Sequence, residues 1–596
     1  MNLLAPFAGT VVSVPHAIDD TVSAGTPVVV LEAMKMEHEL VADTAATVER
    51  LEVTVGDTVT EGQLLAVLGE ARGTPLQPPA PALAERDALD EVMQRHAVGL
   101  DAARPEAVAA RRARGHRTAR ENLAELLDEG SFVEYGPLMF AAQERRRSRE
   151  ELIARTPADG LVGGVGTIDG APCVAMSYDY TVLAGTQGMR NHQKKDRLFE
   201  LAQRRRLPVV LFAEGGGGRP GDVDMPIVAG LDCRAFHLFA RLSGLVPLVG
   251  IASGYCFAGN AALLGCCDVV IATEDASIGM GGPAMIEGGG LGVFAPQDVG
   301  PIEVQYANGV VDLRVADDAE AVAVAQRYLS FFGRGSAAPA AAPDDAQWLR
   351  ELIPANRKRP YEIRTVIAAL CDETLELRRG FGPGIVTALA RIDGKPLGVI
   401  ANDPTHLGGA IDADGADKAA RFMALCDAFG LPLLFLSDTP GFMVGPDAER
   451  TATVRHFARM FVTGANLEVP TGTIVLRKGY GLGAQAMAGG GFKAPLFTIG
   501  WPTSEFGAMG LEGAVKLGMR RELEAITDEA ERERVYEASV AAAYERGRGV
   551  GMAAYFEIDD VIDPADSRRW IKTLLEDAAP HWSERDRKRR PNVDAW

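Results

Sequence analysis

The chain has 596 residues, 47% of them hydrophobic and 24% charged, with a net charge of −20 and a pI near 5.0. That length exceeds what one hydrophobic core organises and predicts three or four domains, while the acidic balance argues against nucleic acid as the main partner, because phosphate binding needs a cationic surface. Seven cysteines without a C-x-x-C pair indicate neither a disulfide framework nor a zinc ribbon, no metal site is expected, and with no signal-like N-terminus or membrane-length apolar run the expectation is a soluble cytoplasmic protein without a membrane partner.

The first 70 residues repeat. Thr10-Val11, Asp20-Thr21-Val22, Gly25 and Val30-Leu31 recur 37 residues later as Thr47-Val48, Asp57-Thr58-Val59, Gly62 and Val67-Leu68. Short Val/Leu-rich runs punctuated by Gly-Asp and Ala-Gly turns predict two stacked β layers, a small all-β sandwich. Lys35 falls where the copies join, flanked by Met34 and Met36 at an expected hairpin tip. Two flexible apolar side chains on a turn are costly to expose unless something recognises them, so Lys35 is read as a carrier of a covalent group and not as a bystander. Residues 1–70 resemble a biotinyl carrier domain, and Ala33-Met34-Lys35-Met36 matches its biotinylation motif. The resemblance implies biotin attached to Lys35 by a biotin protein ligase.

Residues 71–94, rich in Ala and Pro, are expected to form a linker. Residues 84–129 look helical, and their cluster Arg111, Arg112, Arg114, Arg117 and Arg120 reads as a solvated helix face, with phosphate binding as the alternative.

A larger repeat follows. Asp169-Gly170, Asp179, Gly185, Lys194, Arg197, Leu207-Pro208 and Glu214 are echoed 224 residues on by Asp393-Gly394, Asp403, Gly409, Lys418, Arg421, Leu431-Pro432 and Asp438, and Gly254-Tyr255 by Gly479-Tyr480 at 225. Two homologous α/β halves are therefore expected over 95–340 and 350–590, with the Ala/Pro tract 337–343 between them. In each half an apolar strand (Pro247–Ser253, Thr473–Arg477) runs through a Gly-rich turn into a helix, a geometry that leaves backbone N–H groups facing an anion.

With their surroundings (Glu214-Gly215-Gly216-Gly217, Asp438-Thr439-Pro440-Gly441-Phe442, Arg455-His456 and Trp501-Pro502-Thr503-Ser504-Glu505) these turns resemble the carboxyltransferase subunits of acyl-CoA carboxylases. The resemblance implies two crotonase-like spiral halves, the first holding acyl-CoA and the second biotin. It places one oxyanion hole on the N–H groups of Ala258 and Gly259, where the family usually has Gly-Gly, and a second on Leu482 and Gly483, where it usually has Gly-Ala. The implied function is transfer of the carboxyl group from carboxybiotin on Lys35 to the alpha carbon of a short-chain acyl-CoA, acetyl-CoA or propionyl-CoA. Gln485, five residues after Tyr480, would bias acyl length. The implied partners are a separate biotin carboxylase subunit using ATP and bicarbonate, and further copies of the chain in a hexamer with sites between subunits. A methylcrotonyl- or geranyl-CoA carboxylase subunit, a biotin-dependent decarboxylase and a non-catalytic biotinylated scaffold remain alternatives. His192, His406, His456 and Cys256 read as structural, and Arg585–Arg590 as a solvated, frayed tail.

Overall fold

The computed structural model describes residues 1–72, 87–224, 229–333, 346–576 and 581–596. Most of the expected linker and the tract 337–343 lie outside them. The chain divides into two compact units, Met1–Gln94 and Arg95–Trp596.

The first unit is a sandwich of two four-stranded antiparallel sheets, each drawing strands from both copies of the 37-residue repeat. Alternating valines and leucines, among them Val11, Val22, Leu31, Val48, Val59 and Leu68, fill the space between the sheets. Strands Pro27–Ala33 and Met36–Val41 pair antiparallel and leave only Met34 and Lys35 as the loop. A helix over Asp87–Val98 occupies the end of the segment expected as linker.

In the second unit the repeat becomes two sheets of one topology. The first runs Leu313–Val315, Val269–Thr273, Leu248–Ala252, Val209–Phe212, Ala171–Tyr178, Leu161–Ile168, Val133–Glu134. The second runs Glu373–Leu377, Ile385–Ile392, Lys395–Asn402, Leu433–Thr439, Thr471–Tyr480, Phe497–Gly500, Asp560–Val561. Both begin in an antiparallel hairpin (Leu161–Ile168 with Ala171–Tyr178, and Ile385–Ile392 with Lys395–Asn402) and continue as parallel strands. The parallel strands Val209–Phe212, Leu248–Ala252 and Leu433–Thr439 are buried throughout, as strands covered on both faces are, and the last ends in the buried polar residues Ser437, Asp438 and Thr439. The matching helices Met189–Arg205 and Ala413–Phe429 each end on a left-handed residue, Arg206 and Gly430.

Paired residues of the repeat do paired work. Asp179 accepts from the backbone N–H and hydroxyl of Thr181 and pairs with Arg104; Asp403 does the same with Thr405 and Arg364. Lys194 donates to the carbonyls of Ala158 and Leu161, and Lys418 to that of Phe381.

Two expectations about charge are corrected. The Arg111–Arg120 segment is not a solvated helix face but two short helices, Pro105–Arg112 and Ala119–Leu126, with a turn between them. Arg111 is buried against Glu214, while Arg112, Arg117 and Arg120 pair with Glu121, Glu125 and Glu134. The Arg585–Arg590 segment is docked, not frayed. Lys588 donates to the carbonyl of Ser243, and Arg590 and Arg589 approach Asp427 at 2.9 and 3.7 Å. Asp427 is 1% exposed, and a buried carboxylate demands such cations.

Candidate active site

In the first half, strand Val209–Phe212 runs out into Ala213, Glu214 and four glycines. Gly215, at φ +117, lies so close to the backbone of Gly185 that no side chain fits. Its N–H donates to Tyr255 O, and it accepts from Phe257 N–H, which lays the glycine turn along the strand Tyr255–Phe257. Further along, Gln187 N–H donates to Gly217 O and Arg219 N–H to Gln187 O. Gly218 between them faces open space, and among the described residues its N–H has no acceptor.

The second element is the start of helix Gly259–Gly265. Its cap, Ala258, stands at φ 52, ψ −120, a conformation that glycine adopts freely and alanine only under strain. The Ala258 N–H is already spent on Gly279 O at 3.0 Å. The free donors that converge here are therefore Gly259 and Gly218; a Cβ on the intervening Gly217 would lie 2.7 Å from the Ala258 methyl and 3.8 Å from Gly259 N. Sequence reasoning missed Gly218. The four-glycine run was a visible signal, but only the fold brings it against the helix.

The second half repeats the arrangement 224 residues on. Ile411 N–H donates to Gly441 O and Met443 N–H to Ile411 O, so Phe442 occupies the place of Gly218, its N–H likewise without an acceptor among the described residues. Leu482 and Gly483 lie in the first turn of helix Gly481–Ala486, where backbone N–H groups have no intrahelical partner. A Cβ on Gly483 would come within 2.7 Å of Gly441 Cα and 3.1 Å of Phe442 N. The Leu482 side chain is 62% exposed.

Gln485 is exposed and lies on the wall of a cavity of about 890 Å³. Apolar Phe506, Leu511, Val515 and Met519 line it together with polar Ser539, Arg546 and Glu557, and Gly518 lies on its wall.

Acid, base and nucleophile candidates near the turns are engaged elsewhere. Burial pushes the Glu214 carboxyl up to about 7, against the pull of Arg111, whose guanidinium grips both its oxygens. Asp438 is held by Arg477 and Lys478. Burial pushes the Cys256 thiol up, away from reactivity. His406 and His456 lie against Asp412 and Asp417, and burial holds His192 neutral with its pKa pushed down to about 3. Ser253, His116 and Asp275 form a hydrogen-bonded row, 3.1 and 3.0 Å apart, that sequence spacing could not reveal. Ser253 is buried beside a cavity of only about 10 Å³, which leaves a substrate no room. Around both turns, then, the chemistry available is stabilisation of negative charge by backbone N–H groups.

The carrier tip fits a covalent group. Met34 and Lys35 both have positive φ, 53 and 64, in a two-residue loop whose usual residues are Asn and Gly. Met34 is 97% and Met36 63% exposed. Among the described residues no hydrogen bond or ion pair holds the Lys35 ammonium. A strained, fixed backbone presenting a free amine suits attachment of biotin through an amide.

Residues 110–591 match the carboxyl transferase domain family, and residues 1–68 the biotin-requiring enzyme family. The chain is 34% identical over 502 residues to the methylmalonyl-CoA carboxyltransferase 12S subunit of Propionibacterium freudenreichii subsp. shermanii, covering 80% of this chain and 91% of that protein. It is 31% identical over 502 residues to a propionyl-CoA carboxylase beta chain of Cereibacter sphaeroides, covering 82% and 95%. A single-chain, multi-domain long-chain acyl-CoA carboxylase superposes with a TM-score of 0.79 at 56% identity over 96% of this chain; the chain spans 56% of that protein's length. The transcarboxylase 12S hexamer, with methylmalonyl-CoA bound, superposes with a TM-score of 0.74 at 30% identity, covering 87% of this chain and all of that one.

Proposed function

The chain belongs to the carboxyl transferase family and is a biotin-dependent acyl-CoA carboxyltransferase fused to a biotin carrier domain, and on that premise we propose that it carboxylates long-chain acyl-CoA, with biotin carried on Lys35. Biotin, when attached, would supply both the carboxyl group to be transferred and the acceptor for the proton that leaves the alpha carbon, because the side chains near the turns are engaged elsewhere. The chain's own residues supply charge stabilisation. Gly218 and Gly259 N–H groups receive the oxyanion that develops on the thioester oxygen as the alpha carbon loses its proton, and those of Phe442, Leu482 and Gly483 receive a second oxyanion. Fixed donors stabilise such charge more than solvent does, because they need no reorganisation as it forms. Arg111 keeps Glu214 in place beneath the first turn and out of the chemistry.

The observation that carries the acyl length is the cavity of about 890 Å³ at Gln485. It stands toward the upper end of roughly 300–1,000 Å³ for ligand pockets, far more than an acetyl or propionyl group fills. Each buried methylene adds about 0.8 kcal/mol, close to fourfold in affinity. The 56% identical long-chain acyl-CoA carboxylase supports the same reading. A short-chain preference, with Gln485 setting acyl length at the cavity mouth, is the second reading, favoured by the propionyl-CoA carboxylase relatives. The partners that complete the reaction in this proposal are a biotin carboxylase using ATP and bicarbonate, a biotin protein ligase, and copies of this chain in a hexamer like that of transcarboxylase 12S.

Gly518 tests the choice, because a side chain there would project into open space. Gly518→Phe should cut kcat/KM for palmitoyl-CoA by at least about tenfold while leaving acetyl- and propionyl-CoA within about twofold. A wild-type kcat/KM highest for acetyl- or propionyl-CoA, together with an unchanged profile in Gly518→Phe, would decide for the short-chain reading.

A further inference from the structure

Behind the first turn lies a row of buried polar side chains. Lys195, on the helix Met189–Arg205, has 0% exposure, and its ammonium donates to the Tyr178 hydroxyl at 2.8 Å. The Gln187 amide lies near enough to the same hydroxyl to favour its anion, against the effect of burial, and donates to Asn260 Oδ1 at 2.6 Å. Asn260, 0% exposed, turns its Nδ2 to the carbonyls of Gly185 and Glu214 at 3.1 and 2.9 Å. The row ends on the two free donors. Gln187 brackets Gly218 through its own backbone, and a Cβ on Gly259 would meet its side-chain oxygen at 2.8 Å.

A lysine sealed in the interior with a phenol as its hydrogen-bond partner is expensive, since an ammonium loses its hydration and gains no carboxylate contact. Cheaper residues would fill the space. The second half shows this: the positions of Tyr178, Gln187 and Lys195 are there Asn402, Ile411 and Ala419. We propose that Lys195 is a positioning residue for the first oxyanion hole, acting through Tyr178 and Gln187 to fix the Gly218 and Gly259 N–H groups. With Lys195 protonated, the Tyr178 oxygen accepts from it; with Lys195 neutral, Tyr178 can donate instead, and the row loses its orientation. Burial pushes the ammonium's pKa down to about 7, so this change falls in the working range. The other groups facing it are Cys233, Asp196, Asp159, Arg219 and His192.

The inference rests on reading Gly218 and Gly259 as the hole, and that reading is tested separately by whether the wild-type chain moves carboxyl groups from malonyl-CoA to free biotin at all. Given that activity, Tyr178→Phe and Lys195→Met in the full chain should each lower kcat at least about tenfold with KM for malonyl-CoA within about twofold, the signature of donors used in the transition state. The wild-type kcat should fall as pH rises through about 7, and Lys195→Met should flatten that limb. The melting temperature of Lys195→Met should not fall, because an unpaired buried charge has been removed. A Tyr178→Phe enzyme with kcat within twofold of wild type, or a Lys195→Met pH profile that superposes on it, would overturn the proposal. If Lys195→Met does not fold, the kcat and KM of Tyr178→Phe decide alone.

Discussion

The two halves of the carboxyltransferase unit share a backbone and differ in what stands behind it. Gly218 and Phe442, 224 residues apart, sit in the same pair of backbone hydrogen bonds, donated in one half to and from Gln187 and in the other to and from Ile411. A backbone donor needs only a particular path of the chain, so it survives replacement of glycine by phenylalanine. The side chains behind it have diverged. Asn260, two residues past Ala258, is sealed into the polar row, whereas Gln485, two past Gly483, is exposed on the wall of the wide cavity. Duplication has kept the charge-stabilising geometry while the side chains behind it diverged, into a buried polar row in one half and a wide cavity in the other.

The largest expected effect separates both halves from the carrier. Lys35→Arg should abolish ATP-driven carboxylation with the partner subunit while leaving transfer to free biotin within about twofold, since a tether supplies effective concentration and not chemistry. Loss of both would show that the halves depend on the carrier for more than delivery. Next come the donors themselves. Gly218→Pro and Leu482→Pro each delete one N–H, the second in a first helical turn that accepts proline. Each should cost about 10²–10³ in kcat, and a loss confined to one variant would break the equivalence of the two halves.

Much of this was legible in the sequence. The 37- and 224-residue repeats gave the sandwich and the paired α/β halves because each buried strand and Gly-turn leaves a residue-type signature. The lysine at the hairpin tip was legible because Met34 and Met36 have no reason to be exposed on their own account. What escaped were features that depend on distant chain segments meeting. Gly218 becomes a donor only when Gln187 brackets it. Arg111 and Arg585–Arg590, read as solvated charge, are drawn in by Glu214 and Asp427, buried carboxylates whose depth no local pattern betrays. Ala258 reads as a plain small residue, and its N–H is claimed by Gly279, 21 residues on.

The two helix starts offer a sharper contrast at smaller cost. Ala258 holds a conformation suited to glycine, so Ala258→Gly should raise stability by about 1 kcal/mol, net of the added freedom of the unfolded chain. Gly483→Ala places a methyl 2.7 Å from Gly441 Cα, backbone that cannot easily move, and should destabilise by about 1–3 kcal/mol. Denaturant midpoints of the two variants check both signs. If they moved the same way, the close approach of turn to helix would differ in kind between the halves.

The smallest effect is in pH. Ser253, just before the first Gly-Tyr turn, accepts support from His116, which also hydrogen-bonds Asp275; the corresponding residue of the second half, Lys478, lies 3.5 Å from Asp438. The hydrogen bond to Asp275 raises the His116 pKa above its ordinary value, and the same contact pulls Asp275 down to about 2. A raised histidine stabilises the fold fully below its unfolded pKa near 6.5 and loses that contribution as pH rises through the higher folded value. A depressed carboxylate stabilises above its unfolded pKa near 3.8 and fails only as pH falls toward 2. The pair is therefore intact from about pH 4 to 6 and weakens above neutrality. Asp275 is half exposed, so solvent screening limits the loss to about 0.5–1 kcal/mol. Hydrogen exchange of the Gly254–Phe257 amides should speed up a few-fold, beyond the intrinsic pH effect, between pH 6 and 8, while that of Gly479–Gly481 should not, because Lys478, not a histidine-bound serine, stands before that turn. His116→Gln should remove the excess in the first half, and an equal excess at both turns would show that His116 is not its source.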